Sequence, residues 1–181
     1  MAIFPPEQKI WWNEPVEKAE ILWVSIALLW ALIMFAMMPI WHVVGKQNMS
    51  NEAYRISPDA FAAKTEEMVK KYKVGEEKGN GMPIVAPPPG SDVYLISRLW
   101  EWYPVLKLEK GQSYRVHMSS MDWLHGFSLQ PININLQVHP GIDMVVTLTP
   151  TTSGEFGIVC NEFCGIGHHT MLGRMYVVDK K

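Results

Sequence analysis

The sequence predicts a mainly β protein, a Greek-key sandwich or barrel, carried by a single N-terminal transmembrane helix. The first observation is a set of six short runs rich in β-branched and aromatic residues, separated by turn residues. They are Val93–Ile96, Tyr114–Met118, Ile132–Val138, Met144–Leu148, Phe156–Val159 and Met175–Val178. That many short strands in about ninety residues is typical of a sandwich or barrel. The second observation is that residues 21–44 contain no Lys, Arg, Asp or Glu.

The apolar run at residues 21–44 is expected to be a permanent membrane span. As a helix rising about 1.5 Å per residue it reaches roughly 36 Å, enough to cross a bilayer with some tilt. Trp11, Trp12 and Trp41 lie where interfacial aromatic residues are expected. A cleaved signal peptide is the alternative, but the run is too long and lacks an A-x-A-like cleavage site. Pro39 is expected to kink or end the helix.

The orientation of this helix is not settled by its flanking charges. Lys9 and Lys18 precede the apolar run, whereas Lys46, Arg55 and Lys64 follow it. The positive-inside rule therefore leans toward a cytoplasmic C-terminus. The metal motif described below requires the opposite orientation, and we give that motif more weight than a difference of one charge.

Four segments are expected: a lead at 1–20, the helix at 21–44, a connector at 45–90 and the β domain at 91–181. Within the connector, Ser57-Pro58-Asp59 has the form of a helix N-terminus. A short amphipathic helix follows, which Gly75 is expected to end. Its stripe comprises Phe61, Thr65, Met68 and Tyr72. This helix packs either on its own domain or on a membrane partner, and residues 79–90 are expected to be an extended spacer.

Length and charge restrict the class of protein. A chain of 181 residues has room for one compact domain plus an anchor. A net charge of −2 points neither to a nucleic-acid partner nor to a strongly charged surface. The chain has only two cysteines, and it lacks the C-x-x-C-H sequence that attaches a haem.

Both cysteines lie in one stretch that also contains histidine and methionine, Cys160-Asn-Glu-Phe-Cys-Gly-Ile-Gly-His-His-Thr-Met171. Thiolate, imidazole and thioether form a soft ligand set that suits copper. Gly165 and Gly167 disfavour a helix, so a loop is expected to bring the ligands together. A disulfide is the ordinary alternative in an exported domain, but it gives no reason for the His and Met spacing. A mononuclear blue-copper site uses one Cys, so two thiolates favour a binuclear copper centre.

The pattern Cys-x-Glu-x-Cys-x-x-x-His-x-x-Met resembles the CuA loop of subunit II of haem-copper oxidases. The segment Asp122-Trp123-Leu124-His125 is similar to the part of that family that carries the first histidine ligand. The resemblance covers about the last ninety residues plus the anchor. It implies a cupredoxin-like fold, with the metal loop between the last two strands and His125 in an earlier loop at the same end.

The resemblance also implies a ligand set. Cys160 and Cys164 would bridge both coppers, His125 and Met171 would complete one copper, and His168 with the backbone carbonyl of Glu162 would complete the other. His169 breaks the family spacing by one and is expected to be a neighbour. Three other histidines have no partner spacing and are expected to be ordinary surface or core residues: His42, His117 and His139.

The cluster Trp100-Glu101-Trp102-Tyr103 has two interpretations. Its aromatic rings are expected either to pack the barrel or to mark the point at which electrons enter from cytochrome c. The second interpretation comes from the resemblance, because subunit II carries an aromatic cluster at this position. The sequence does not choose between Trp100 and Trp102 for that role.

The resemblance implies that this chain is the electron-accepting subunit of a terminal oxidase. It would take electrons from a soluble or tethered cytochrome c and pass them to haem in subunit I, where oxygen is reduced to water. It would lie in the cytoplasmic membrane, in contact with lipid, with the copper domain on the periplasmic side. The single span and the sequence His125-Gly126-Phe127 most resemble subunit II of B-type oxidases.

Two alternatives remain open at this point. Subunit II of a CuA-containing nitric oxide reductase differs in its partner rather than in this domain. A membrane-tethered copper carrier would use similar ligands but would release its copper readily to chelators. Quinol oxidase subunits share the fold but lack the copper ligands, so that branch is disfavoured.

Overall fold

The computed structural model describes residues 15–45, 52–132 and 134–180, which separate into a helix and a β sandwich. Helix α1 spans Lys18–Val44 and is long and apolar enough to cross a membrane. It begins before residue 21 because Glu17 and Glu20 form a capping box at its N-terminus. Pro39 does not end the helix, which continues to Val44. Trp11, Trp12 and Lys46 lie outside the described residues.

Among its described residues, the second unit is a sandwich of two mixed sheets with one α-helix, α2 (Pro58–Tyr72), and a single 3-10 turn at His168–Thr170. The five-stranded sheet contains, in spatial order, β1 (Glu52–Arg55), β10 (Ile142–Leu148), β7 (Tyr114–Ser120), β4 (Asp92–Arg98) and β5 (Glu101–Tyr103). The seven-stranded sheet contains β2 (Lys73–Glu76), β3 (Pro83–Val85), β6 (Val105–Glu109), β12 (Leu172–Val178), β11 (Gly154–Cys160), β8 (His125–Gln130) and β9 (Ile134–Val138). The predicted fold class, a cupredoxin-like sandwich preceded by one apolar helix, is confirmed.

Inward-facing side chains of both sheets form one apolar core. Alternate residues of a strand face opposite sides of its sheet, so each strand places every second side chain inside. Completely buried members of the core include Leu95, Leu108, Met118 and Leu129. All six runs predicted as strands coincide with strands of the structure. Six strands in the described part of the chain were not predicted. β1, β2, β3 and β5 are only three or four residues long, whereas β6 and β8 have five and six residues.

The segment expected to be a connector contributes to the sandwich from Glu52 onward. Strand β1 pairs antiparallel with β10, and Glu52 Oε2 lies 2.6 Å from Arg115 Nη2 of β7. Strand β3 pairs with both β2 and β6. The Pro-rich spacer expected at 79–90 therefore contains the strand Pro83–Val85.

Helix α2 packs on its own domain, which decides between the two placements left open by the sequence. Its buried side chains are Phe61, Thr65, Met68 and Val69. The Phe61 ring meets the Tyr94 ring edge-on at 5.6 Å. Ser57 caps the helix as expected by accepting a hydrogen bond from the Ala60 N–H. The helix ends at Tyr72 rather than at Gly75, which lies in β2.

His117 is not an ordinary unpartnered histidine. It is buried in β7, and its Nδ1 atom lies 2.8 Å from Oδ2 of the buried Asp143 on β10. The centroid of its ring lies 4.8 Å from that of the Tyr94 ring, and its Nε2 atom lies 3.4 Å from Asp92 Oδ1. Buried polar groups need partners, so this pair joins β7 to β10 on the face of the five-stranded sheet opposite the apolar core, near α2.

Candidate metal centre

The strand order brings the two distant parts of the site together. Strand β11 ends at Cys160, and its pairing with β8 places Cys160 opposite Phe127. His125, 35 residues before Cys160 in the chain, begins β8 and therefore lies beside that thiol. Residues 161–171 then form the loop that leads into β12. The backbone N–H of Cys160 donates to the Met171 carbonyl at 3.2 Å, which closes the base of the loop.

Six predicted ligand residues converge at this end of the sandwich. The contacts that join them are Cys160 Sγ to Cys164 Sγ at 3.8 Å, Cys160 Sγ to His125 Nδ1 at 3.8 Å, Cys160 Sγ to the Glu162 carbonyl oxygen at 3.3 Å, Cys164 Sγ to His168 Nδ1 at 3.6 Å and Cys164 Sγ to Met171 Sδ at 3.8 Å. The two sulfurs occupy the middle of the set, with the other donors on either side.

The cysteines do not form a disulfide in this structure. Both are free and buried, and their sulfurs are far beyond the disulfide bond length of about 2.05 Å. Burial and the neighbouring Cys160 thiol raise the pKa of Cys164 to about 11. A metal that binds the two sulfurs as thiolates would therefore displace the thiol protons.

The donor set fits a soft metal. His125 and Met171 are completely buried, and Cys160 and Cys164 are 4% and 8% exposed. Ligand atoms of His125, Cys160 and Cys164 all lie within 4.8 Å of one another. Thiol, imidazole and thioether together suit copper better than the hard cations magnesium or calcium.

Asp122 orients the first histidine. Its Oδ1 atom lies 2.7 Å from His125 Nε2, which leaves Nδ1 turned toward Cys160. A carboxylate on the second ring nitrogen is a common way to fix a metal-binding histidine. Burial raises the pKa of the Asp122 carboxyl, but hydrogen bonds from His125 and from the backbone N–H groups of Leu99 and Trp123 lower it below its usual value. Asp122 belongs to the segment recognised in the sequence, yet this role was not predicted.

The side chain and the carbonyl of Glu162 point to different places. Its carbonyl oxygen is the atom near Cys160 Sγ. Its carboxylate instead accepts a hydrogen bond of 2.8 Å from Gln137 Nε2 on β9. The backbone is therefore the part of Glu162 that faces the sulfurs.

Trp100 and Trp102 lie in different surroundings. Trp102 is 2% exposed, and its ring packs edge-on against Phe127 at 5.6 Å and His125 at 6.4 Å. Trp100 is 40% exposed and lies against the metal loop. An added Cβ at Gly167 would come within 2.2 Å of the Trp100 ring, so a glycine is needed for this close approach.

Apolar side chains cover the outside of the metal loop. Phe163 and Ile166 are 82% and 92% exposed. Leu172, where the loop enters β12, and Trp123, just before β8, are also exposed. His169 is exposed, next to the half-buried His168. This apolar surface could not be predicted from the sequence, because the side chains of a loop do not alternate between inside and outside with a fixed period.

Fold and donor set together define a membrane-anchored protein with a cupredoxin-like copper-binding domain. Residues 98–178 match the family described as cytochrome c oxidase subunit II, periplasmic domain. This part of the chain therefore matches the cytochrome c oxidase subunit II family, over a little less than half of the chain's length.

Two curated relatives are similar to part of this chain, and a solved structure shares its fold. Over 88 residues, 48% of this chain, it is 34% identical to two sequences named cytochrome c oxidase subunit 2, both from Thermus thermophilus. The match spans only 65% and 52% of the length of those relatives. A chain of a haem-copper terminal oxidase dimer solved by cryo-EM is 21% identical, with a TM-score of 0.56, covering 89% of this chain and 100% of that one. This last likeness shows the fold.

We predict that Gly167→Ala destabilises the protein by pushing Trp100 away from the loop. A Cβ at 2.2 Å from the ring cannot be accommodated without movement, and such overpacking costs about 1–3 kcal/mol. The measurement is chemical unfolding of the full-length protein in detergent. Gly157→Ala is the matched control, because an added Cβ there meets no atom within 4 Å. In a Trp100→Ala background the penalty should disappear, and a penalty that persists would contradict the assigned contact.

Proposed function

We propose that this chain is the electron-accepting subunit II of a cytochrome c oxidase and holds a binuclear copper centre of the CuA type. The observation that carries the proposal is the arrangement of two buried thiols, 3.8 Å apart, in the middle of four further donors. One thiol would suffice for a mononuclear blue-copper site. A pair of central sulfurs with donors on both sides supports two metals that share them.

The donors divide into two groups around the thiols. His125 and the Glu162 carbonyl lie on the Cys160 side, whereas His168 and Met171 lie on the Cys164 side. These contacts support all six residues as ligands. Because each thiol would bridge both coppers, a contact with one thiol does not assign a donor to one copper. The pairing implied by the family, His125 with Met171 and His168 with the Glu162 carbonyl, is carried as part of the proposal.

When bound, such a centre accepts and releases one electron at a time. The protein's own contribution is to hold the donors still. The loop ends are fixed by β11 and β12, and Asp122 fixes the His125 ring. A site whose ligands are held by a rigid surround rearranges little when its charge changes, and buried donors exclude water from it.

We place the point at which electrons enter at Trp100 rather than Trp102. Trp100 is partly exposed, and its ring lies against Gly165 and Gly167 of the metal loop. Trp102 is buried behind His125 and has almost no surface to offer a donor protein. The exposed apolar residues Phe163 and Ile166 favour a donor that docks by burying apolar surface.

The partners and the location follow from the same proposal. The donor is a soluble or tethered cytochrome c, and the acceptor is haem in subunit I, where oxygen is reduced. The sandwich lies on the periplasmic side of the cytoplasmic membrane. A nitric oxide reductase would use the same centre with another partner, and identification of the co-purifying large subunit separates the two. The near-complete burial of the central ligands disfavours a copper carrier, which must give up its metal easily.

The first test is metal content. The copper-loaded, full-length protein should hold two coppers per chain, with an electron spin resonance spectrum of one unpaired electron shared over two copper nuclei. Cys160→Ser and Cys164→Ser should both abolish that signal, because each removes a central sulfur. One copper per chain, or a native disulfide, would overturn the proposal.

Glu162→Gln is the matched control for the cysteine variants. The carbonyl is retained and the amide can still meet Gln137, so both coppers and nearly the same visible spectrum should remain. His125→Ala should lose or split the centre, whereas Met171→Leu should mainly shift its potential. If Glu162→Gln empties the site as thoroughly as a cysteine change, the side chain is a ligand.

A second test concerns Trp100. Trp100→Leu should slow electron transfer from reduced cytochrome c by about tenfold or more, as expected for a central aromatic contact residue. The copper spectrum should be unchanged, which separates this effect from loss of the centre. Tyr54→Leu, a change at an exposed aromatic residue of β1, on the opposite edge of the five-stranded sheet from β5, should have a much smaller effect. Equal rates for wild type and Trp100→Leu would remove Trp100 from the path.

The third test concerns topology. Protease added to spheroplasts should degrade the sandwich, residues 52–180, because we place it outside the cytoplasmic membrane. A cytoplasmic protein probed in the same sample should stay intact. Protection of the sandwich would mean that the flanking charges, which favour a cytoplasmic C-terminus, report the orientation correctly.

A further inference from the structure

Strand β9 forms one edge of the seven-stranded sheet and pairs only with β8 among the described strands. Two polar residues on it, Asn135 and Gln137, are two positions apart and therefore face the same side. Both are exposed, and both reach the metal loop. Asn161 Nδ2 donates to Asn135 Oδ1 at 2.9 Å, and Gln137 Nε2 donates to Glu162 Oε1 at 2.8 Å.

The loop reaches β9 by crossing directly over β8. It crosses at Gly126, which pairs in register with Gln137 of β9. A Cβ at Gly126 would lie 2.0 Å from Asn161 Oδ1 and 2.8 Å from the Glu162 backbone nitrogen. The backbone N–H of Asn161 also donates to the Gly126 carbonyl at 3.2 Å. The absence of a side chain at 126 thus lets residues 161 and 162 lie close on the sheet, within reach of β9.

These contacts fix one particular peptide group. Asn161 and Glu162 lie between the two cysteines, and the Glu162 carbonyl lies 3.3 Å from Cys160 Sγ. Side-chain hydrogen bonds on two successive residues restrict the rotation of the backbone between them. They hold the Glu162 carboxylate on β9 while its carbonyl stays turned toward the sulfurs.

We propose that Asn135 and Gln137 are positioning residues for the copper loop, which they hold from the neighbouring edge strand. This inference rests on the proposed function, because it assigns to them the orientation of the Glu162 carbonyl as a ligand. Their recorded hydrogen bonds go to Asn161 and Glu162 rather than to the sulfurs. Exposed polar pairs contribute little to the stability of a fold, so their main effect is on the geometry and retention of the centre.

The experiment uses the full-length, copper-loaded protein and exchanges the two partners of the Gln137–Glu162 hydrogen bond. Gln137→Glu places two carboxylates opposite each other and should speed copper loss to a chelator more than Gln137→Ala does. Gln137→Ala and Asn135→Ala should each speed it by about two- to fivefold, the effect of one lost hydrogen bond. The double variant Gln137→Glu with Glu162→Gln restores an amide–carboxylate pair and should return the rate to within about twofold of wild type.

Two further readouts separate positioning from general stability. The copper hyperfine pattern should change in Gln137→Glu and return in the double variant, whereas the unfolding temperature of the copper-free protein should stay the same in all of them. Gln130→Ala is the matched control, since Gln130 is an exposed glutamine on β8 that bonds Ser128 instead of the loop. It should leave both copper loss and spectrum unchanged.

The outcomes distinguish this inference from the function on which it rests. A wild-type protein without two coppers would overturn the proposed function before any variant is made. A normal wild-type centre with no faster copper loss in Gln137→Glu would overturn the inference alone. Failure of the double variant to rescue Gln137→Glu would also overturn it, because the effect would then not run through Glu162.

Discussion

The pairing of β8 with β11 is the constraint on which the site depends. It places His125 beside Cys160 although 35 residues separate them in the chain. Because β11 also pairs with β12, the same strand fixes both the histidine side of the centre and the two ends of the loop. The donors are thus arranged by backbone hydrogen bonds of the sheet, which form with the fold. Little further ordering is needed for a metal to bind, and that preorganisation favours affinity.

Burial gives this arrangement its chemical character. A buried imidazole or thiol needs a partner, and the donors here have mainly one another, with Asp122 on the far side of the His125 ring. The Asp122 carboxylate in turn accepts the backbone N–H groups of Leu99 and Trp123, so it joins the turn before β5 to the start of β8. Trp102 packs behind the same histidine. One end of the sandwich is therefore built around the orientation of one ring.

The sequence predicted the parts of this protein that have a period or a fixed spacing. Most of the longer strands and the apolar helix have periodic or continuous patterns, and five of the six proposed ligands lie at short offsets within residues 160–171. Strands β1, β2 and β3 were missed because three or four residues show no period and become strands only through their neighbours. The partnership of His117 with Asp143 depends on the register of β7 and β10, which the sequence does not show. Trp100 and Trp102 are two positions apart and would face the same side of a continuous strand. Trp100 lies in the turn before β5, however, and its ring is exposed, whereas the ring of Trp102 within β5 is buried.

The metal loop has two faces with opposite requirements. Cys164 faces the core at 8% exposed, while Phe163 beside it and Ile166 two residues later are almost completely exposed. Exposed apolar side chains grouped on one loop are unfavourable in water unless a partner covers them. A protein that docks on Phe163 and Ile166 would be separated from the thiols by little more than the thickness of the loop backbone. With a net charge of only −2 on the whole chain, such docking would depend on apolar burial more than on electrostatic steering. The proposed donor would therefore meet the proposed centre through the loop itself, with Trp100 at the edge of the contact.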